Sequence, residues 1–339
     1  MTMPAAVPAE TAETPSAEVV HVPLSGAARG SLTLPFRPDE LAAAINYADR
    51  AQAPATARAY AADWRTFAAW CASRDLLALP ADPTTVAVFL ADEAQRVKPA
   101  TLGRRLAAIK AAHVAAQLEP PTNGAAVRRV LRGIRREQGT RQTKKAPATA
   151  ERLLAMVAHC SPTLAGKRDR ALLLLGFGGA FRRGELSALD VADLEEHAEG
   201  LRVLVRRAKT DQEGVGATVA VTRGNHACPV DAVRVWLESA GITDGPVFRP
   251  VGKSGRVSDA RLSPFSVAQI VKHYAARAGL DPATFGGHSL RAGFLTSAAE
   301  RGRPLDRMMA VSRHKRVDTL LGYVRRADDF RDHAGAGLL

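Results

Sequence analysis

Four short segments in the C-terminal half of the chain carry residues suited to phosphoryl transfer. Gly179-Ala180-Phe181-Arg182-Arg183-Gly184-Glu185-Leu186 offers an arginine near a helix start, followed by a glutamate. Gly287-His288-Ser289-Leu290-Arg291-Ala292-Gly293 sets His288 and Arg291 three apart, on one face of a helix. Ser312-Arg313-His314-Lys315 is followed, nine residues after His314, by Tyr323, and Lys209 opens the polar segment Lys209-Thr210-Asp211-Gln212-Glu213-Gly214. A phosphodiester attacked by oxygen builds negative charge on its non-bridging oxygens. Arginine meets that charge with a planar, permanently charged pair of donors, and histidine can donate or accept a proton near neutrality. Taken singly, each residue has an ordinary structural reading. Arg182 fits surface charge at a helix end, Lys209 a solvated turn, His288 a helix terminus, His314 a satisfied half-buried ring, and Tyr323 a packing residue with a wet hydroxyl.

The elements that must hold these residues follow from periodicity. Residues 1 to 36 are rich in Ala, Pro, Thr and Glu without a repeating apolar face, and read as a disordered tail. Tyr60, Trp64, Phe67 and Cys71 then mark one face of a long helix. Val86, Phe89 and Leu90 mark a second, Leu102, Leu106 and Ile109 a third, and Val127, Val130, Leu131 and Ile134 a fourth, with Pro120-Pro121 and Asn123-Gly124 breaking the chain before the last. Residues 37–140 thus form a compact all-helical domain. Residues 141–148 form a linker, and 149–339 a second domain with helices near 149–159, 166–178, 229–240, 264–279, 288–301 and 304–312. A short helix after Arg182 and another leading into Tyr323 complete it. Alternation of Leu201, Val203 and Val205, and of Val219 and Val221, predicts a hairpin whose connection carries Lys209. Gly176-Phe177-Gly178-Gly179 trails an apolar helix and lacks a following Gly-Lys-Ser/Thr, so it is a helix end and not a nucleotide loop.

Charge sets the class of partner. The 339 residues carry a formal net charge of +13, with a pI near 10.3, and a strongly basic soluble chain favours polyanions because each neutralised phosphate releases counterions. The densest basic stretch is Arg128, Arg129, Arg132, Arg135, Arg136, Arg141, Lys144 and Lys145, opposed only by Glu137. A solvated helix face is the ordinary reading of such a run, but its single sign and its position at a domain boundary suit a nucleic-acid backbone. The three cysteines, Cys71, Cys160 and Cys228, lie far apart and read as small core residues. They give neither a disulfide framework nor a metal-ligand spacing, and no cofactor motif is visible. With no long apolar run and no signal-like N-terminus, a cytoplasmic protein without a membrane partner is expected.

The order Arg182, Lys209, His288-x-x-Arg291, His314, Tyr323 resembles the tyrosine recombinase (phage integrase) family, and the likeness covers about residues 38–339. It includes Thr56–Cys71, which is similar to the family's core-binding domain. The resemblance implies a mainly α fold with a small antiparallel β-sheet. An N-terminal all-helical core-binding (SAM-like) domain and an α+β catalytic domain would together form a clamp on double-stranded DNA. It implies that Arg182, Arg291, His288 and His314 bind the phosphate, with His288 helping to remove the tyrosine proton. Lys209 would protonate the leaving 5′ oxygen, Glu185 would orient Arg182, and Tyr323 would become a 3′-phosphotyrosine link. That bond keeps the phosphoester energy, so neither ATP nor a metal is needed. Four protomers would act on two sites in the nucleoid, with a tail from Arg325 to Leu339 docking its Leu338-Leu339 plug into a neighbour. Two departures stand out: Arg313 occupies a position where many members have Gly, and Arg183 follows Arg182 directly, although the spacing to Glu185 and Leu186 favours Arg182. A type IB topoisomerase-like DNA relaxation and a catalytically silent DNA-binding protein remain the alternatives.

Overall fold

The computed structural model describes residues 53–140, 145–206 and 216–327, together with part of 37–47. The N-terminal tail, Arg141, Lys144, Lys209 and residues 328–339 lie outside the described residues. The chain divides into two compact units, Met1–Gln142 and Thr143–Leu339.

The first unit is built from α1 (Pro54–Ala72), α2 (Pro83–Ala94), α3 (Pro99–Ala115) and α4 (Ala125–Gln138). The first three open on proline, whose fixed φ and missing N–H suit a first helical position. The Asp82 carboxylate caps α2 by accepting the Thr84 N–H at 2.6 Å. α1 packs on α3 and α2 on α4 around Phe67, Cys71, Val86, Phe89, Leu90, Leu102 and Ile109, as the apolar faces predict. Trp70, Val127 and Ile134 join them. Among the described residues of this unit, the His113 ring is a polar group with no solvent exposure. The His113 Nε2 accepts the Ala81 N–H at 3.0 Å, so its Nδ1–H donates to the Ile109 carbonyl at 2.8 Å. α4 turns Val127 and Ile134 inward and leaves Arg128, Arg129, Arg132, Arg135 and Arg136 exposed.

The second unit contains α5 (Ala150–Ala158), α6 (Leu164–Gly178), α7 (Arg183–Ala188), a three-stranded antiparallel sheet, α8 (Pro229–Ala240), α9 (Pro264–Arg277), α10 (Ser289–Glu300), α11 (Leu305–Ser312) and α12 (Val317–Ala327). The sheet runs β1 (Leu194–His197), β2 (Gly200–Val205), β3 (Ala217–Thr222). Leu201 pairs with Val221 and Val203 with Val219, which turns the expected apolar face of the hairpin onto the core. β1 is the unforeseen strand. It contributes Glu195 and Glu196 to an edge without apolar alternation, so only its pairing with β2 defines it. α6 is buried along Ala171–Leu175 and ends at Gly178, so the glycine cluster closes the central helix. Of the cysteines, Cys71 is a fully buried core residue. Cys160 and Cys228 are only half-buried, and the Cys228 Sγ caps α8 by accepting the Asp231 N–H at 3.5 Å. Among the described residues no helix is long and apolar enough to cross a membrane.

Candidate active site

Three chain segments meet in the second unit. After α6, Ala180 takes a left-handed backbone with φ +46°, which for a residue with a Cβ costs on the order of 1–2 kcal/mol. That turn buries Phe181 and leaves Arg182 as the residue preceding α7. It also aims the Ala180 carbonyl at two guanidiniums, since Arg291 Nη1 donates to it at 2.8 Å and Arg313 Nη2 at 3.4 Å. Glu185, buried one turn into α7, accepts the Arg182 backbone N–H at 2.9 Å and Arg182 Nη1 at 2.6 Å. Arg182, and not the exposed Arg183, therefore joins the cluster.

The second segment is the start of α10. Ser289 is wholly buried, with its Oγ accepting the Gly286 N–H at 3.0 Å and its carbonyl accepting the Ala148 N–H at 2.9 Å. One turn later α10 runs so close to Ala148 that a Cβ on Gly293 would overlap the Ala148 carbonyl. These contacts fix His288 at the exposed rim and Arg291 in the interior, where Arg291 has no solvent exposure.

The third segment is the end of α11. The Ser312 hydroxyl spends its one proton on the Met308 carbonyl at 2.6 Å. Its oxygen, 2.8 Å from His314 Nδ1, must therefore accept from that nitrogen, so the neutral His314 ring is protonated at Nδ1. Arg291 Nη2 lies 3.2 Å from His314 Nδ1 and 3.3 Å from Nε2. Arg313 adopts φ +57°, a left-handed conformation that favours glycine. Its side chain offsets the strain: Nη1 donates to Val311 O at 2.7 Å and Gly179 O at 3.2 Å, while Nη2 donates to Glu185 at 2.7 Å. Tyr323, half-buried on α12, packs with Leu295, Ala299, Met308 and Leu320, so the helix bearing it lies against α10, which carries Arg291.

The electrostatics are those of an anion site. Arg182, Arg291 and Arg313 gather around one carboxylate, Glu185. Burial, then the charges of Arg182 and Arg313, hold Arg291 down at about 9, still cationic at neutral pH. Burial, then Arg291 and Arg182, push His314 down to about 4, so it is neutral. Partial desolvation at the rim, then the same two arginines, lower His288 below the usual imidazole range. Burial alone would raise Glu185, but Arg313 and then Arg182 outweigh it and keep this carboxyl below its ordinary range. Such an excess of positive charge suits an anion such as a phosphoryl group.

Of the residues singled out in the sequence, Arg182 pairs directly with Glu185 and Arg291 with His314, and the Ala180 carbonyl and Arg313 link the two pairs. His288 stands at the rim, and Tyr323 lies close enough that its phenolate, once formed, would support the charge of Arg291. Lys145 instead donates to the Ala283 carbonyl at 2.6 Å. Ser312 was not singled out, and Arg313 stood out only as a departure from pattern. A serine two residues before a histidine at a helix end is the one local signal that could have drawn attention to Ser312.

The Phage integrase family pattern matches residues 147–329. An integrase/recombinase XerD homolog of Selenomonas ruminantium is 38% identical over 292 residues, covering 84% of this chain and 86% of that protein. The Cre recombinase of Escherichia phage P1 is 25% identical over 285 residues, 78% of this chain and 82% of that one. Among solved structures, XerH site-specific recombinase in a post-cleavage complex with its difH substrate superposes with a TM-score of 0.54 at 17% identity, covering 73% of this chain and 70% of that one. A lambda integrase dimer on a core site gives 0.51 at 17% identity, covering 74% and 66%. The chain belongs to the phage integrase, or tyrosine recombinase, family. It is a site-specific recombinase.

Proposed function

We propose that Tyr323 is the nucleophile of this recombinase and that Arg182, Arg291, His288 and His314 form its phosphate pocket, with Lys209 as general acid. The Tyr323 Oη attacks the scissile phosphorus while the bond to the 5′ oxygen breaks. The phenolic proton passes to the neutral His288 ring, and Lys209 donates a proton to the departing 5′ oxygen. The product is a 3′-phosphotyrosine with a free 5′-hydroxyl, and attack by the 5′-hydroxyl of the other duplex reverses the step and rejoins the strands. Arg182 and Arg291 offset the charge that builds on the non-bridging oxygens, and Glu185 orients Arg182. The observation that carries this reading is the cluster of three guanidiniums, two of them on the single carboxylate of Glu185 and the third on the adjoining Ala180 carbonyl, beside the helix that bears Tyr323.

Double-stranded DNA is the partner. Relatives of the same fold are solved as complexes with it, and the exposed arginines of α4, Arg128, Arg129, Arg132, Arg135 and Arg136, with Arg141, Lys144 and Lys145 beyond them, supply charge for its backbone. Four protomers act on two sites, and the protein works at the nucleoid.

The test uses a duplex selected by the protein from a random pool and nicked beside the cleavage point, so that the freed end diffuses away. Wild type should form a protein–DNA adduct that survives denaturant, with or without EDTA, and Tyr323→Phe should form none. Equal behaviour of the two proteins removes Tyr323 as nucleophile. Relaxation of supercoiled plasmid that lacks the selected site would favour the topoisomerase alternative.

A further inference from the structure

We infer that Arg313 is a positioning residue: it takes up the charge of Glu185 and locks the loop bearing His314 to the loop bearing Arg182. The proposal rests on the site reading above and deepens it.

The geometry is specific. Both Nη atoms of Arg313 are committed to protein acceptors, the Val311 and Gly179 carbonyls and Glu185, so its guanidinium has little left to offer a phosphate. Its guanidinium spans two segments far apart in sequence. On the α11 side it donates to Val311, two residues back. On the α6–α7 side it reaches the Gly179 and Ala180 carbonyls and Glu185, and it lies 5.1 Å from the Phe181 ring centroid. His314 is its immediate neighbour and Arg182 shares its carboxylate, so two phosphate-facing groups are referred to one buried anchor.

Charge gives the second half. Were Glu185 paired with Arg182 alone, the two would form a neutral couple and the phosphate would meet a quenched arginine. With Arg313 as a second partner the trio carries net positive charge, and Arg182 keeps its field toward the substrate. The charged groups around Glu185 are Arg182 on the preceding turn, Arg313 from the end of α11, and Arg291 on α10, whose charge Glu185 helps to sustain. On its outer side Glu185 borders a pocket with Asp190, Asp193, Arg206 and Arg261. A glycine, the residue this backbone conformation favours, would relieve the strain and leave Glu185 with Arg182 only. Retaining a strained arginine is what a charge requirement at this position explains.

Three variants test it: Arg313→Met, Arg313→Lys and Glu185→Gln. In the DNA-free protein, carbon NMR of the Glu185 carboxyl should show it titrating at higher pH in Arg313→Met than in wild type, and close to wild type in Arg313→Lys. On the nicked duplex, Arg313→Met should slow adduct formation on the order of 10- to 100-fold at neutral pH. The acid limb of its pH profile should move upward, because Glu185 then protonates sooner and releases Arg182. Arg313→Lys should restore that limb, and Glu185→Gln should abolish the difference between Arg and Met at 313. If Arg313→Met is slow yet both the Glu185 titration and the acid limb stay at their wild-type positions, Arg313 is a structural strut and the inference fails. The NMR titration needs no DNA, so it stands even where wild type forms no adduct, an outcome that would count against the nucleophile assignment alone.

Discussion

Arg291→Met should make the protein more stable and nearly inactive at once. Arg291 is wholly buried, and its neighbours within the site include two other cations, Arg182 and Arg313. Burial, then Arg182 and Arg313, bring its pKa down to about 9, so the interior opposes its charge. At ~1.36 kcal/mol per tenfold change, the penalty is on the order of 5 kcal/mol. Methionine fills similar volume without a charge. It gives up the donor to the Ala180 carbonyl at 2.8 Å and the contact with the His314 ring, which together cost about 1–3 kcal/mol, and Arg313 still reaches that carbonyl. The balance favours the variant by about 2–4 kcal/mol, a rise of roughly 4–16 °C in the melting midpoint for a unit of this size. Cleavage of the nicked duplex should fall by at least ~10²-fold, the loss seen when one donor to a developing anion is removed. The sign of the pH dependence follows from a cation whose folded pKa is depressed. Its penalty is complete below about pH 9 and fades as pH rises through that value, so the stability gap between variant and wild type should shrink above pH 9. Differential scanning calorimetry across pH measures the gap. A lower midpoint for Arg291→Met at neutral pH would refute the reasoning, because it would make Arg291 a net structural support.

His314, held at about 4 against an ordinary 6.5, takes up a proton later than the unfolded chain does. Wild-type stability should therefore drop as pH falls from 6.5 toward 4, and His314→Asn should flatten that part of a melting-midpoint series. Gly293→Ala would press a Cβ into the Ala148 carbonyl, and chemical denaturation should show a loss of roughly 1–3 kcal/mol with slower cleavage, since α10 must back away from the Ala148 strand of chain. Replacing Arg129, Arg132 and Arg136 with serine should weaken duplex binding and lower the log–log salt slope by ~0.9 for each residue that meets a phosphate. An unchanged slope by fluorescence anisotropy would remove α4 from the interface.

Local chemistry was legible in the chain itself. The apolar spacing through Phe67, Phe89, Ile109 and Ile134 located the helices of the first unit, because a core-facing stripe needs no distant partner to be recognised. Alternation located β2 and β3, the glycine cluster marked the end of α6, and the ordered Arg–His–Arg–His–Tyr series indicated the reaction class. β1 could not be read this way, since its four residues become a strand only by pairing with β2. Nor could the state of the site. That Ser312 fixes the His314 proton, that Ala180 turns its carbonyl to two guanidiniums, and that Arg313 shares Glu185 across 128 residues are facts of three segments converging. Residue types along the chain determined which groups could meet a phosphate. Only burial and mutual distance decided their charge, because a buried arginine or histidine takes its proton affinity from neighbours that sequence order does not bring together.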